Sequence, residues 1–557
     1  MSETADSAPS NADELGDTEN AKMRRYDDIY DSHVRSFGPY QRVLYLIMKL
    51  LIIPISAQFT ALVFCLGTPE FQCTTANVTC PPRKCCDNCT SYEFVGPSTT
   101  SVSEWNLICD RGYIGASLQA VFFAGMMIGS VISGMMADAW GRKPCIFACT
   151  ALMALTSARS AYADCISLFA LLRFLLGIGL TGVMLTSYVY SLELVGPKRR
   201  TLSSVLTGIF WAVGGLLDLL ESYFIRDWRL LLFVYSIPAV LLLPLWRFIP
   251  ESPRWLMLHG RLDGSLDVLA KFGGKKGQNV DTMSLRGLLE QIKEDQLKMQ
   301  MKEKRYGLLD LVRTAKLRKW SLIMGYQWFV VAFVNFGLYL YLSQLAGDIY
   351  VNYAVTRSIA TIAIPLDYIF LVKFGRRSYH GVYAIIGGTS LLIILAVNEK
   401  YPMATTILTI LSIIIGPNWG TVYLITAELY PTVLRNSALG TGSLIGRIGG
   451  TTAPYFTMIA QLPGLSMTFP VTVFGLSAII AGAMTYLLPE TLFAKMHQTI
   501  EQTEAAEDDY SVVCCGKPLT RHKQTKAQAV EFKDGVVLIN SETVQNKGDQ
   551  ATLEKGL

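Results

Sequence analysis

Charge is scarce in this sequence. Of 557 residues, only 17% are Asp, Glu, Lys or Arg, where soluble proteins carry about 25%. Two or three soluble domains would fill this length, but their surfaces would need more charge than is present. Histidine is scarcer still, at five, which leaves little for a histidine-rich metal site, and no metal is expected. A GxxxxGK(S/T) phosphate loop is missing. The basic excess is small, a net +5, and spread along the chain, which excludes a nucleic-acid surface. A charged-then-apolar signal sequence is also missing, so the first apolar run is expected to direct insertion. Apolar residues are plentiful at 51%, and mean hydropathy is +0.34. Intrinsic disorder is excluded for the chain as a whole. A multi-spanning membrane protein fits.

A helix crosses the hydrocarbon core with roughly 20 apolar residues. Twelve such runs are found, at about 43–67, 113–137, 145–163, 166–192, 202–225, 230–249, 320–344, 350–372, 380–398, 403–427, 436–461 and 468–488. None alternates with period two, so helices rather than barrel strands are expected. The chain therefore divides into a polar N-terminal segment 1–42, a six-span half 43–250, a central charged segment 251–319, a second half 320–492 and a polar tail 493–557. Helical periodicity runs from about Met283 to Lys304 in the central segment. The tail is expected to be disordered.

Basic residues set the orientation. Arg142 and Lys143, Lys198 to Arg200, and Arg376 and Arg377 all fall on one side, with both termini, and that side is expected to be cytoplasmic. The loop 68–112 then lies outside. It holds Cys73, Cys80, Cys85, Cys86, Cys89 and Cys109. Six thiols there suggest disulfides, and fifteen pairings remain open. Asn77-Val78-Thr79 and Asn88-Cys89-Thr90 are glycosylation sequons in the same loop.

The two halves echo each other. Gly141-Arg142-Lys143 returns as Gly375-Arg376-Arg377. Glu193 with Arg199 returns as Glu428 with Arg435. Pro250-Glu251-Ser252 returns as Pro489-Glu490-Thr491. Each echo follows its first copy by about 235 residues. Two six-span halves repeated in parallel are the plan of a major-facilitator transporter, an all-α membrane fold of two bundles that rock about a central site. Gly134, Asp138, Gly141, Arg142 and Lys143 follow the pattern G-x-x-x-D-x-x-G-R-K. Asp138, Glu193 and Glu428 with Arg142, Arg199 and Arg435 are gating candidates. Charge-assisted bonds across the cytoplasmic face would hold it shut.

The chain also resembles solute carrier family 22, from about Phe37 to Thr491. The resemblance rests on Phe37-Gly38-Pro39-Tyr40-Gln41-Arg42, on Ser103-Glu104-Trp105-Asn106-Leu107-Ile108-Cys109-Asp110 and on Arg226-Asp227-Trp228-Arg229. It continues through Ile249 to Leu256, reading IPESPRWL, and through Ala427-Glu428-Leu429-Tyr430-Pro431. The family's glycosylated loop is present, though short. The resemblance implies a plasma-membrane carrier of small organic ions that is not an enzyme, has no cofactor and works as a monomer; it leaves the coupling ion open.

Ionisable residues well inside the spans include Lys49, Arg173, Asp218, Glu221, Arg357, Asp367 and Arg447. Such residues are functional candidates by default. The family's anion and carnitine branches resemble this chain in carrying Arg where Arg447 stands, while its cation branch has Asp. A guanidinium grips a carboxylate bidentately, so Arg447 is expected to hold one. The plainer alternative is a structural pair with Glu428 or another helix. Asp367 replaces a Lys of the anion branch and favours a cationic group or a proton. Arg357 reads as an entrance or snorkelling residue. Asp218 and Glu221 share a helix face and are expected to pair with Lys49 or Arg173. Tyr339, Trp211 and Tyr423 are the aromatic candidates for an organic cation. Arginine with acids and aromatics describes a site for zwitterions or cations, such as carnitine and betaines. An organic-anion carrier and a non-transporting receptor-like homologue are the alternatives.

Overall fold

The computed structural model describes residues 26, 29–30, 33–75, 80–81, 83–86, 89–196, 200–273, 281–302, 308–397, 401–416, 419–463, 468–492, 500–506, 508, 513–514 and 517–518. These hold twelve helical spans. The first half comprises Pro39–Phe64, Gly112–Trp140, Arg142–Ser160, Ile166–Glu193, Arg200–Phe224 and Trp228–Leu242. The second comprises Ala315–Tyr341, Ile349–Phe374, Arg376–Val397, then Pro402–Ile415 with Trp419–Leu429, Thr432–Ile459 and Phe469–Thr485. Among the described residues seven helices are long and apolar enough to cross a membrane, and Phe469–Thr485 is apolar but shorter.

Local chemistry starts several of these helices. The Asp227 carboxylate accepts the Arg229 and Leu230 N–H groups at 2.7 and 3.0 Å and caps the sixth span. Asp348 does the same for Tyr350 and Val351 at the head of the eighth. Between the halves run the helices Pro253–Leu258, Leu262–Phe272 and Thr282–Lys302. Leu285, Leu289 and Ile292 of the last pack with Ile29, Tyr30 and Val34 in the core of the first half. The central segment is thus docked under one half by its own apolar stripe.

The tail differs from expectation at its start. Ile500–Ala505 is a helix, because Ile500 is buried beside Leu317 and Leu311. Lys316 pairs with Asp508 at 2.7 Å and takes the carbonyls of Thr503 and Ala506. Residues 519–557 lie outside the described residues.

The cysteine loop carries a two-stranded antiparallel ribbon, β1 (Glu70–Cys73) with β2 (Tyr92–Val95). Its disulfides are Cys73–Cys89, Cys80–Cys86 and Cys85–Cys109. The adjacent Cys85 and Cys86 go to different partners, a choice spacing alone left open. Asn77 and Asn88 lie outside the described residues.

Candidate functional site

The second span runs from the cysteine loop to the Gly141 turn, so these features mark opposite ends of the bundle. At the turn end Gly141 takes φ +112° and Gly375 φ +80°, a region that suits glycine. Each turn is held by a carboxylate from the end of its own half. Glu251 accepts the N–H groups of Arg142 at 3.0 Å, Lys143 at 3.2 Å and Ser252 at 2.8 Å. Burial pushes its carboxyl above the usual range, against the pull of those N–H donors and of Arg142. Glu490 accepts from Arg376 at 2.9 Å, Arg377 at 3.3 Å, and Thr491 and Leu492 at 3.0 Å.

The arginines then reach inward along matched paths. Arg142 donates to the Ala137 carbonyl at 2.6 Å, to Asp138 at 2.8 Å and to Glu193 at 3.5 Å. Arg376 donates to the Leu371 carbonyl at 3.5 Å and to Glu428 at 3.3 Å. Both turns are therefore one device, built twice. These bonds brace each half internally instead of lying across the face as the gating reading expected. Glu428 is occupied by Arg376 and by the Thr491 hydroxyl at 2.6 Å, so the alternative pairing with Arg447 is not what forms. Arg435 sits in the first turn of the eleventh span, and Arg199 lies outside the described residues.

The described hydrogen bonds that join the halves near the surface cluster at the cysteine-loop end. Arg83 donates to the carbonyls of Gln344 at 2.9 Å and Leu345 at 3.0 Å. The Cys85 N–H meets the Gln461 carbonyl at 3.0 Å, and the Gln461 amide meets Thr68 at 3.1 Å. Ser98 bonds Tyr350 at 3.0 Å, and Ser117 bonds Tyr455 at 3.1 Å. A cavity of about 20 Å³ remains between the halves there, enough for about one water. Two motifs brace the same end. Glu104 accepts from Trp228 at 2.8 Å and Arg229 at 2.6 Å, and Arg229 holds its carboxyl below the usual range.

Rings from both halves meet at the centre. Phe59 stacks on Phe336 at 5.8 Å and meets Trp211 at 5.5 Å. Phe336 meets Phe123 at 4.6 Å and Trp419 at 6.0 Å. Trp328 continues the wall to Tyr423 at 4.4 Å. Arg447 lies beside this wall, only 6% exposed. Gly449, two residues on, leaves no room for a side chain against the Phe329 carbonyl, so the eleventh and seventh spans touch by backbone. An Arg447 Nη1 reaches the Met126 sulfur of the other half at 3.9 Å, a weak acceptor. Among the described residues no acid pairs with it, and its Nε has no hydrogen-bond partner.

The other intramembrane charges fall out differently from the sequence expectation. Asp218 takes its bonds from Ser56 at 2.6 Å and Thr60 at 3.2 Å, not from Lys49 or Arg173. Lys49 lies over the Tyr45 ring at 4.8 Å, and Arg173 over Phe122 at 4.8 Å. Arg357 is no snorkeller: it is buried, donates to the Tyr353 hydroxyl at 2.8 Å and lies over Tyr339 at 5.0 Å. Asp367 accepts the Tyr379 hydroxyl of the ninth span at 2.6 Å. Of the aromatic candidates, Trp211 and Tyr423 join the central wall, while Tyr339 belongs to Arg357. Phe59, Phe123 and Met126 escaped the sequence reading, because an apolar residue inside an apolar span carries no local mark.

The model of the sugar (and other) transporter family matches residues 90–503. The organic cation transporter protein of Drosophila melanogaster is 30% identical over 521 residues, 86% of this chain and 94% of that one. The human organic cation/carnitine transporter 2 is 28% identical, over 92% of this chain and 98% of its own. Among solved structures, the inward-open xylose transporter XylE from E. coli superposes with a TM-score of 0.58 at 18% identity, over 83% of this chain and 98% of that one. That likeness shows the major-facilitator fold.

Proposed function

Because the chain belongs to the sugar (and other) transporter family, in the solute carrier family 22 branch of the major facilitators, we infer what this membrane transporter carries: small organic ions, and zwitterions or organic cations such as carnitine and betaines before others. It is a multi-pass membrane protein and not an enzyme. The observation that carries the reading is Arg447, buried between the halves without an acidic partner among the described residues. A bare guanidinium in a membrane interior costs several kcal/mol unless wet or paired, and a substrate carboxylate supplies that pair. The neighbouring wall of Trp211, Phe59, Phe336 and Tyr423 offers ring faces to a quaternary or primary ammonium group. Asp367 supplies an acid on the turn side of the eighth span, and Tyr339 a ring on the loop side.

Transport proceeds by alternating access, with the two bundles rocking while the duplicated turns keep each bundle rigid. The turn end faces the cytoplasm, and the cysteine loop, glycosylated at Asn77 and Asn88, faces outward from the plasma membrane. No cofactor takes part. The same Arg447 also supports an organic-anion carrier as the second reading.

Uptake into proteoliposomes of a betaine, a quaternary amine and a monocarboxylate separates these. The betaine and the amine are expected to enter faster than the monocarboxylate. Uptake of the monocarboxylate alone establishes the anion carrier, and no uptake of any establishes a receptor-like homologue.

A further inference from the structure

Asp218 and Arg357 belong to opposite halves, and a chain of hydroxyls connects them. Arg357 donates from Nε at 3.0 Å and Nη2 at 2.8 Å to the Tyr353 hydroxyl. Tyr353 and Thr60 share a hydrogen bond at 2.9 Å. Thr60 and Ser56 meet the Asp218 carboxylate at 3.2 and 2.6 Å. With the guanidinium filling the acceptor side of Tyr353, the Tyr353 hydroxyl is left to donate to Thr60, whose own hydrogen faces both the Asp218 carboxylate and, at 3.1 Å, the Ser56 carbonyl. Asp218 is 1% exposed and Arg357 8%. Their pairing is therefore internal to the membrane and spans the seam between the bundles.

Stability does not call for this arrangement. A buried ion pair is commonly no better than apolar residues of the same volume. The location suggests a use. Trp211, Gly215 and Asp218 share one face of the fifth span by their spacing, and Asp218 stands about 10 Å toward the loop end from the aromatic wall. A side chain at Gly215 would press on Arg357. When the bundles part at the loop end, Asp218 leaves with one half and Arg357 with the other. Each is then a lone charge in a narrow cavity, costly unless a charge of opposite sign replaces its partner.

We propose that Asp218 is the station that receives the substrate's cationic group from the loop side, with Arg357 as its resident counter-ion in the state closed at that end. The occupant class is an ammonium, quaternary or primary, alone or as the positive end of a zwitterion. Exchange of Arg357 for that group links cation binding to opening of the loop end, and the acid at Asp367 serves the other side of the wall. This rests on the reading of the chain as a carrier of organic ions.

The test is uptake of radiolabelled tetramethylammonium, glycine betaine and butyrate by the wild type, Asp218→Asn and the double variant Asp218→Asn/Arg357→Gln, each normalised to surface expression. The single variant leaves Arg357 buried and unpaired and is exposed to misfolding; the double variant removes both charges and keeps the shapes. For the double variant the half-saturation concentrations of tetramethylammonium and glycine betaine rise at least tenfold, while that of butyrate changes less than threefold. Equal behaviour of the double variant and the wild type toward all three makes the pair a structural brace and overturns the proposal. So does an equal loss of all three at normal surface expression. A wild type that takes up neither tetramethylammonium nor betaine defeats the broader reading of the function as well, which the variants alone do not.

Discussion

The two glycine–arginine turns share a plan and differ at its margin. Gly141, Arg142, Glu193 and Glu251 occupy the places of Gly375, Arg376, Glu428 and Glu490, down to the carbonyl that each arginine takes five residues before it. The matched parts are buried or half-buried. The part that differs is exposed: Asp138, with a side chain 79% accessible, stands where the second half has Val372. Exposed ion pairs contribute little. The duplication has thus kept the contacts that fix each turn, carboxylate to backbone N–H and guanidinium to buried acid, and let the solvent-facing one drift. At the centre the halves diverge outright. Across the seam the first half brings the acid Asp218 and the second the bases Arg357 and Arg447, with Asp367 of the second half nearer the turn end. Rigid braces are needed twice, whereas a site for a charged molecule needs opposite groups on opposite walls.

The comparison is tested most strongly at the two glutamates. Glu490 satisfies four backbone N–H groups and Glu251 three, and unsatisfied buried donors cost about 1–3 kcal/mol each. Glu490→Ala is expected to lower the melting temperature in detergent more than Glu251→Ala, with a loss above about 3 kcal/mol. The reverse order would mean that burial at Glu251 dominates over donor count. Next come the arginines. Removing Arg142 strands Glu193, whereas Glu428 keeps the Thr491 hydroxyl when Arg376 is removed. A stranded buried charge costs about 3–5 kcal/mol. Arg142→Ala is therefore expected to destabilise more than Arg376→Ala, and each to slow maximal uptake more than it weakens half-saturation. A normal maximal rate with weaker half-saturation would remove the turns from the rocking mechanism.

The central asymmetry gives the third test. Charge-assisted hydrogen bonds contribute about 1.5–3 kcal/mol, so Arg447→Ala should weaken uptake of carboxylate-bearing substrates at least tenfold and spare a quaternary amine. Arg447→Lys should rescue poorly, because an ammonium lacks the planar fork. An equal loss across substrates would make Arg447 structural. Asp138→Ala is expected to have the smallest effect, within about 1 kcal/mol in thermal stability. A larger loss would show that the drifted position still matters.

Much of this was legible in the sequence. The twelve spans stand within a few residues of the apolar runs, since the bilayer demands a length and a hydropathy that each segment carries by itself. The repeat was legible because its glycines, arginines and glutamates stand in loops where few other residues suit. The aromatic wall was legible only at Trp211 and Tyr423, aromatics with a polar edge. Asp218 was found as an anomaly and its partner misjudged, because Lys49 and Arg173 lie in the same half of the chain, and nothing local tells which face of the first or eighth span the fifth will meet.

Hydropathy, periodicity and the matched motifs determined by themselves that this chain is a duplicated helical membrane protein with a cysteine-bearing loop at one end and basic turns at the other. Those properties are local, or repeat along one dimension. Which cysteines join, which carboxylate cradles which turn, and that Asp218 faces Arg357 through Ser56, Thr60 and Tyr353 were decided only by the packing of the spans. Each depends on the rotation of one helix against another, and that rotation is set by the sum of many side-chain contacts across the bundle rather than by the order of residues within any one span.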